Sequence, residues 1–300
     1  MKIIITGTGT SNGIPAIACS CPICTSKDKH DKRLRSSAYI TGCDGTAIVI
    51  DTGPEFRIQS LKYKINKLDA VLLTHAHADH VHGLDDIRVF SNSYIDLENN
   101  GHMKNKANTR PALKVYSIHQ TILDVHARFS YIFEKTQQGG GKPRIKLVDL
   151  GTYEELTNKN TNKMFNIGCL EITPIPIMHG NLPVCGWKIH DCISHTIFAY
   201  LTDCNFIPDS SIKLVQNANC VVIDGLRAKK HPTHFCFNDA YTCAQKIGAQ
   251  QTWITHISHS DSHKNIIKWF KNKEKKDKKR TPLTRIAHCA PAYDGLIIKL

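Results

Sequence analysis

A chain of 300 residues, 41% of them apolar, can bury one large α/β core, and no Pro/Gly/Ser-rich linker divides it. No apolar run reaches the length of a membrane-spanning helix, and Met1-Lys-Ile-Ile-Ile-Thr lacks the apolar stretch of a signal peptide. The expected compartment is therefore the cytoplasm, with no membrane partner. There the 12 cysteines are reduced thiols or metal ligands rather than a disulfide framework, and the formal charge of +13 favours partners that carry phosphate.

Lys2–Thr6 reads as a first strand and runs into Gly7-Thr8-Gly9-Thr10-Ser11-Asn12-Gly13. The glycine spacing fits neither a dinucleotide fingerprint nor a P-loop, which leaves a tight turn whose backbone approaches the site. Cys19-Ser20-Cys21-Pro22-Ile23-Cys24 follows, and three thiols this close on a loop can converge on one zinc ion if a fourth ligand comes from elsewhere. Free or buried cysteines are the plainer alternative. Ser37–Thr41 and Thr46–Asp51 read as strands paired across a Gly42–Gly45 turn. A carboxylate at the end of the second, Asp51, can orient a metal-bound imidazole from behind.

The richest stretch comes next. Leu68–Leu73 has the length of a buried strand, and Thr74-His75-Ala76-His77-Ala78-Asp79-His80 follows it directly. On extended chain His75 and His77 point to the same side and can hold one ion. Asp79 and His80 are adjacent, so they need a turn into helix to face a second ion, and two such ions about 3.5–4 Å apart form a hydrolytic site. Beyond Arg88 the chain turns polar through Ser91–Arg110, then resumes with a strand at Leu113–Ser117 and a helix at Gln120–Phe133. Leu147–Leu170 reads as short strands broken by the polar turn Asn158–Lys163. Further strands at Leu170–Ile177, Thr196–Leu201, Cys220–Asp224 and Gln251–Thr255 deliver His179, Asp203, Gly225-Leu226-Arg227 and His256 to their ends. Taken singly, His179 is an ordinary strand-end histidine and Asp203 equally suits a turn or helix cap. Lys268–Arg280 carries much of the positive charge and reads as a solvated helix end and loop.

The motif His75-x-His77-x-Asp79-His80 with His82-Gly83-Leu84-Asp85-Asp86-Ile87-Arg88 resembles the metallo-β-lactamase-fold hydrolases, in particular the branch of the phosphoribosyl cyclic phosphate phosphodiesterases. The G-x-G-[ST]-x-x-G-x-P opening closed by Pro15, the Asp224-Gly-Leu-Arg…His231-Pro-Thr-His234 pattern and the closing Tyr293-Asp294-Gly295 extend that resemblance over nearly the whole chain. It departs at 91–110 and 268–280, which look like insertions bearing on substrate access. The resemblance implies a four-layer αββα sandwich (two mixed sheets face to face with helices outside) and one hydrolase domain. It implies two catalytic ions, zinc or manganese. One is held by His75, His77, His179 and Asp203, the other by Asp79, His80, Asp203 and His256. It also implies a structural zinc on Cys19, Cys21, Cys24 and His259, with Asp51 behind the ligands. The implied activity is hydrolysis of a small cyclic or nucleotide-like phosphodiester by a metal-bridging hydroxide. Asp79 would steer that nucleophile, and His234 would contact phosphate or act as general acid; His231 is a loop residue by comparison. The rivals are tRNA 3′-end processing, thioester or lactone hydrolysis on the same fold, and a zinc-binding protein without turnover. The basic surface is compatible with RNA, but no segment reads as a tRNA-clamping arm. A homodimer is compatible with the chain.

Overall fold

The computed structural model describes residues 1–92, 94–95, 103–104, 111–135, 141–158, 163–280 and 288–300. The first half carries strands β1 (Lys2–Gly7), β2 (Ser37–Thr41), β3 (Ala47–Ile50), β4 (Ala70–Leu72), the short pair β5 (Tyr94–Ile95) and β6 (Met103–Lys104), β7 (Leu113–Ser117) and β8 (Ile145–Asp149). Its helices are α1 (Phe56–Tyr63), α2 (Ala78–Val81), α3 (Arg88–Asn92), α4 (His119–Arg128), α5 (Ser130–Phe133) and α6 (Tyr153–Thr157). The second half holds β9 (Phe165–Ile167), β10 (Leu170–His179), β11 (Leu182–Asp191), β12 (Thr196–Leu201), β13 (Cys220–Asp224), β14 (Gln251–Thr255), β15 (Cys289–Pro291) and β16 (Leu296–Lys299). Helices α7 (Asp209–Val215), α8 (Phe237–Ile247) and α9 (His263–Arg280) lie among them.

Two seven-stranded sheets result, in the orders β16-β1-β2-β3-β4-β7-β8 and β15-β14-β13-β12-β11-β10-β9. In each, antiparallel strands give way to parallel ones: β3, β4, β7 and β8 in the first and β12 to β15 in the second. Parallel pairs need crossovers, and the crossover helices supply the outer layers. Strand β1 shows the logic in residues: Ile3 and Ile5 join Ile40, Ile48, Trp187 and Phe198 between the sheets, while Ile4 faces outward to Val49 and Val71. Val125, Phe129 and Ile132 cover that outer face; Tyr241, Ala244, Ile266 and Phe270 cover the other, against Val221 and Ile223. The fold is the expected αββα sandwich.

Several boundaries differ from the sequence reading. The helix expected over Gln120–Phe133 is two, because the backbone leaves helical geometry at Phe129 (φ −112°, ψ 36°), whose ring is buried in the outer core. Strand β10 runs on to His179, paired with Leu182, so this histidine closes the strand rather than following it. The lysine-rich Lys268–Arg280 belongs to the continuous helix α9. The insertion expected at 91–110 lies mostly outside the described residues. Among the described residues no helix is long and apolar enough to cross a membrane.

Candidate metal centre

The parallel strands of both sheets end at one edge of the sandwich, where α/β folds place their ligands. Asp51 follows β3, Thr74 and His75 follow β4, Asp203 follows β12 and His256 follows β14. Three of these residues turn the chain through the left-handed region, with φ of 60° at Asp51, 54° at Asp203 and 57° at His256. That region is sparsely allowed for any residue with a Cβ.

The first loop is locked by close backbone contact. Thr52 N–H donates to the His80 carbonyl and Gly83 N–H to the Thr52 carbonyl, both at 2.8 Å. A Cβ on Gly53 would lie 2.2 Å from the Asp79 carbonyl oxygen, and one on Gly83 would lie 2.1 Å from the Gly53 carbonyl oxygen. Only glycine permits that approach. Arg128 of α4 donates to the Ala76 carbonyl and steadies the loop from the other side. After His77 the chain turns into α2, the turn that Asp79 and His80 need.

Beneath the loop sits Asp51, fully buried. Its carboxylate accepts from Thr74 N–H and Thr74 Oγ1, both at 2.8 Å, and from His80 Nδ1 at 2.7 Å. Thr74 Oγ1 is in turn 3.0 Å from His75 Nδ1. One carboxylate thus sets the rings of both His80 and His75, leaving Nε2 of each for the site. His179 is oriented likewise, donating from Nδ1 to the Thr233 carbonyl at 2.8 Å.

The predicted ligands gather in three groups, and His179 and Asp203 also stand together with His234. Asp79, His80, Asp203 and His256 form one, His75, His77 and His179 another, and Cys19, Cys21, Cys24 and His259 a third. In the first, His80 Nε2 is 3.3 Å from Asp79 Oδ2 and 3.4 Å from Asp203 Oδ2; His256 Nε2 is 3.6 and 3.2 Å from the same oxygens. Donors around a tetrahedral ion with ordinary N and O bond lengths stand about 3.3–3.6 Å apart. His80 Nε2 and both ring nitrogens of His256 are buried without a hydrogen-bond partner, a cost that a cation bound at the two Nε2 atoms would partly relieve. Asp203 Oδ2 also lies 3.8 Å from His75 Nε2, so this carboxylate stands between the first two groups. In the third group His259 Nδ1 is 3.4, 3.5 and 3.3 Å from the sulfurs of Cys19, Cys21 and Cys24. A mixed sulfur and nitrogen tetrahedron around zinc predicts about 3.5 Å. The residues present fit divalent ions in all three places.

Electrostatics agree with that fit. Burial keeps the His75, His77 and His179 rings below their usual range, hence neutral and able to ligate. Burial opposes charge on His80, but the carboxylates of Asp203, Asp79 and Asp51 outweigh it and hold this ring well above its usual range. Burial likewise opposes charge on Asp203, and the His256 and His80 rings hold it well below its usual range. A cation among these oxygens does the work of that imidazolium proton. The Cys24 backbone N–H draws the Cys21 thiol down to about 6, so it is a thiolate at neutral pH, the form that binds metal.

His234 sits at the rim of the first two groups, its ring 4.5 Å from His179 and 4.6 Å from His256. Asp224, at the end of β13, accepts from His234 Nδ1 at 2.7 Å and from Cys204 N–H at 2.8 Å. Burial pushes the Asp224 carboxyl well above its usual range and the His234 ring below its own. His231 stays outside, its Nδ1 3.2 Å from Thr233 Oγ1. The sequence reading brought no role to Asp224 or Thr233. Asp224-Gly225 repeats the carboxylate-at-strand-end pattern of Asp51-Thr52-Gly53, and that signal marks it. The glycine-rich turn meets the last motif directly: Thr10 N–H donates to the Ile257 carbonyl and Ile257 N–H to the Thr8 carbonyl.

Residues 46–257 match the beta-lactamase superfamily domain. A curated relative, a Porphyromonas gingivalis protein named octanoyltransferase, is 35% identical over 260 residues, which cover 86% of this chain and 46% of that protein. The chain therefore spans less than half the length of that relative. A diphosphatase of the PhnP family has 29% identity and a TM-score of 0.76, with 100% of this chain and 97% of that one covered. Zn²⁺-bound PqqB of Methylobacterium extorquens shares the fold at 15% identity, TM-score 0.70, with 100% of both chains covered.

Proposed function

The chain belongs to the beta-lactamase superfamily, and from that premise we propose that it is a two-metal phosphohydrolase acting on a small phosphodiester or diphosphate ester. The observation that carries the reading is the tetrahedral spacing of Asp79, His80, Asp203 and His256 beside His75, His77 and His179, with Asp203 between them and buried nitrogens otherwise unpaired. In this reading His75, His77, His179 and Asp203 hold one ion, and Asp79, His80, Asp203 and His256 the other. Zinc and manganese both suit these ligands. When bound, the two ions supply Lewis acidity and a water acidified to neutral pH. Asp51 fixes His80 and, through Thr74, His75, so the ligands need no rearrangement. Asp79 steers the attacking oxygen. His234, backed by Asp224, donates from Nε2 to the leaving oxygen. Cys19, Cys21, Cys24 and His259 hold a structural zinc that fastens the N-terminal loop to the stretch following His256. The diphosphatase activity for which the PhnP-family relative is named supports a phosphoryl centre. A carbonyl centre is the second reading, favoured by the octanoyl group in the name of the P. gingivalis relative.

The test is a hydrolysis panel on metal-quantified protein, with Asp203→Ala as control. It contains an activated phosphodiester, 2′,3′-cyclic nucleotides, a ribose cyclic phosphate, a diphosphate ester, a pre-tRNA, an octanoyl thioester and a lactone. Turnover of small phosphate esters that disappears in Asp203→Ala supports the proposal. Full metal occupancy with turnover of the thioester or lactone alone refutes it.

A further inference from the structure

Strand β10 delivers His179 to the catalytic edge, and its opposite end carries a second set of donors. Glu171 lies directly opposite His190 on β11. Facing pairs on neighbouring strands share one side of a sheet. Cys192 opens the turn that follows β11, two residues beyond His190, and its N–H donates to the Cys169 carbonyl at 2.9 Å. His190 Nδ1 is 3.5 Å from Glu171 Oε1, and one donor atom from each of Glu171, His190 and Cys192 lies within 4.8 Å of the others. Leu170, Ile172, Ile189 and Trp187 point to the inter-sheet core, which puts Glu171 and His190 half-buried on the outward face, with Cys192 exposed in the turn beside them. Glu171 and His179 are eight residues apart on one strand, about 26 Å at the usual rise. No ligand of the catalytic edge takes part.

We propose that Glu171, His190 and Cys192 form a further divalent-metal site, selective for zinc and similar thiophilic ions. The donor set decides the ion class. A thiolate, an imidazole and one carboxylate oxygen suit a borderline-soft cation, whereas magnesium and calcium prefer all-oxygen sites and manganese gains little from sulfur. The Glu171–His190 separation already approaches the edge expected between nitrogen and oxygen donors on zinc, so closure needs only rotation of half-buried side chains toward the exposed Cys192. Three protein ligands leave the fourth position to water on an exposed face. The register of the hairpin places Glu171 and His190, fixed by the buried residues on the other side, and the turn that follows β11 adds Cys192.

The experiment uses the full chain with its metals in place and reads Cys192 directly. Protein is exposed to iodoacetamide with and without added zinc, and the alkylation of each cysteine is followed by peptide mass spectrometry. Cys43, also exposed, is the internal control. Zinc should slow labelling of Cys192 by about tenfold or more and leave Cys43 unchanged, because a metal-bound thiolate is masked from the electrophile. In the double variant Glu171→Gln/His190→Ala, protection of Cys192 should vanish and the zinc content fall by one equivalent, with hydrolytic turnover retained. Magnesium should give no protection. Equal labelling of Cys192 with and without zinc, or protection that survives the double variant, overturns the proposal.

Discussion

Replacing Asp51 with asparagine tests how far the site depends on the carboxylate beneath it. Asparagine tolerates the left-handed backbone found there, φ 60°, so the change acts through the side chain. Its amide oxygen can still accept from Thr74 N–H. Its NH₂ group then faces Thr74 Oγ1 and His80 Nδ1, where the wild type has an accepting oxygen 2.8 and 2.7 Å away. At least one charge-assisted hydrogen bond is lost, worth about 1.5–3 kcal/mol when buried. Partners behind a metal ligand typically contribute about 10–100-fold in metal affinity or activity, or about 1.4–2.7 kcal/mol, and the two figures agree. Asp51→Asn should therefore weaken catalytic-metal binding by about one to two orders of magnitude, measured by competition with a chromophoric chelator. Turnover should fall with it at limiting metal, while the sulfur-ligated zinc stays bound. Wild-type affinity and wild-type turnover together would show that His80 and His75 hold their orientation without the carboxylate, which refutes the reasoning.

Gly53→Ala should displace the loop carrying Asp79, because the added carbon meets the Asp79 carbonyl oxygen at 2.2 Å. We expect about 1–3 kcal/mol of destabilisation with loss of catalytic metal; an unchanged Tm and metal content would contradict this. Cys21→Ser should release the sulfur-ligated zinc and lower Tm, since it removes the thiolate drawn down to about 6. Zinc analysis and calorimetry read both, and retention of that zinc counts against the assignment. Burial, helped by the Arg33 guanidinium, lowers the His263 ring to about 4 from an ordinary 6.5. A depressed histidine contributes stability that is complete above pH 6.5 and is lost as pH falls toward 4, because the folded state resists a proton the unfolded chain accepts. His263→Gln, which can still accept from Arg33, should shift the acid limb of the denaturation curve to lower pH; superimposable limbs would dispose of the argument.

The two dense motifs announce their chemistry because their residues are near neighbours in sequence. His75, His77, Asp79 and His80 need only one strand end and one helical turn, and Cys19, Cys21 and Cys24 only one loop. The partners that complete them arrive from other strand ends, and spacing carries no trace of that meeting. His179, Asp203, His256 and His259 are visible beforehand through resemblance alone. Thr233 escapes because its contact with His179 Nδ1 exists only after the strands align; Asp224 shows in sequence only its place at a strand end before glycine, not its bond to His234 Nδ1. Helix α6 escapes for a local reason. At Tyr153–Thr157 it is too short for periodicity, and it stands on a capping box between Thr152 and Glu155. The break at Phe129 is tertiary, since the pattern of Gln120–Phe133 alone favours one helix.

The left-handed turns at Asp51, Asp203 and His256 have a consequence for the sequences this site can accept. Among residues with a side chain, asparagine, aspartate and histidine enter that region most readily, and β-branched residues hardly at all. At these three positions the main chain therefore screens the amino-acid alphabet before any ion does, and what it admits is largely the set of small polar donors. Substitution by a β-branched residue at any of the three should add backbone strain of about 1–3 kcal/mol to the loss of a donor, whereas Asn or Gly should lose the donor alone.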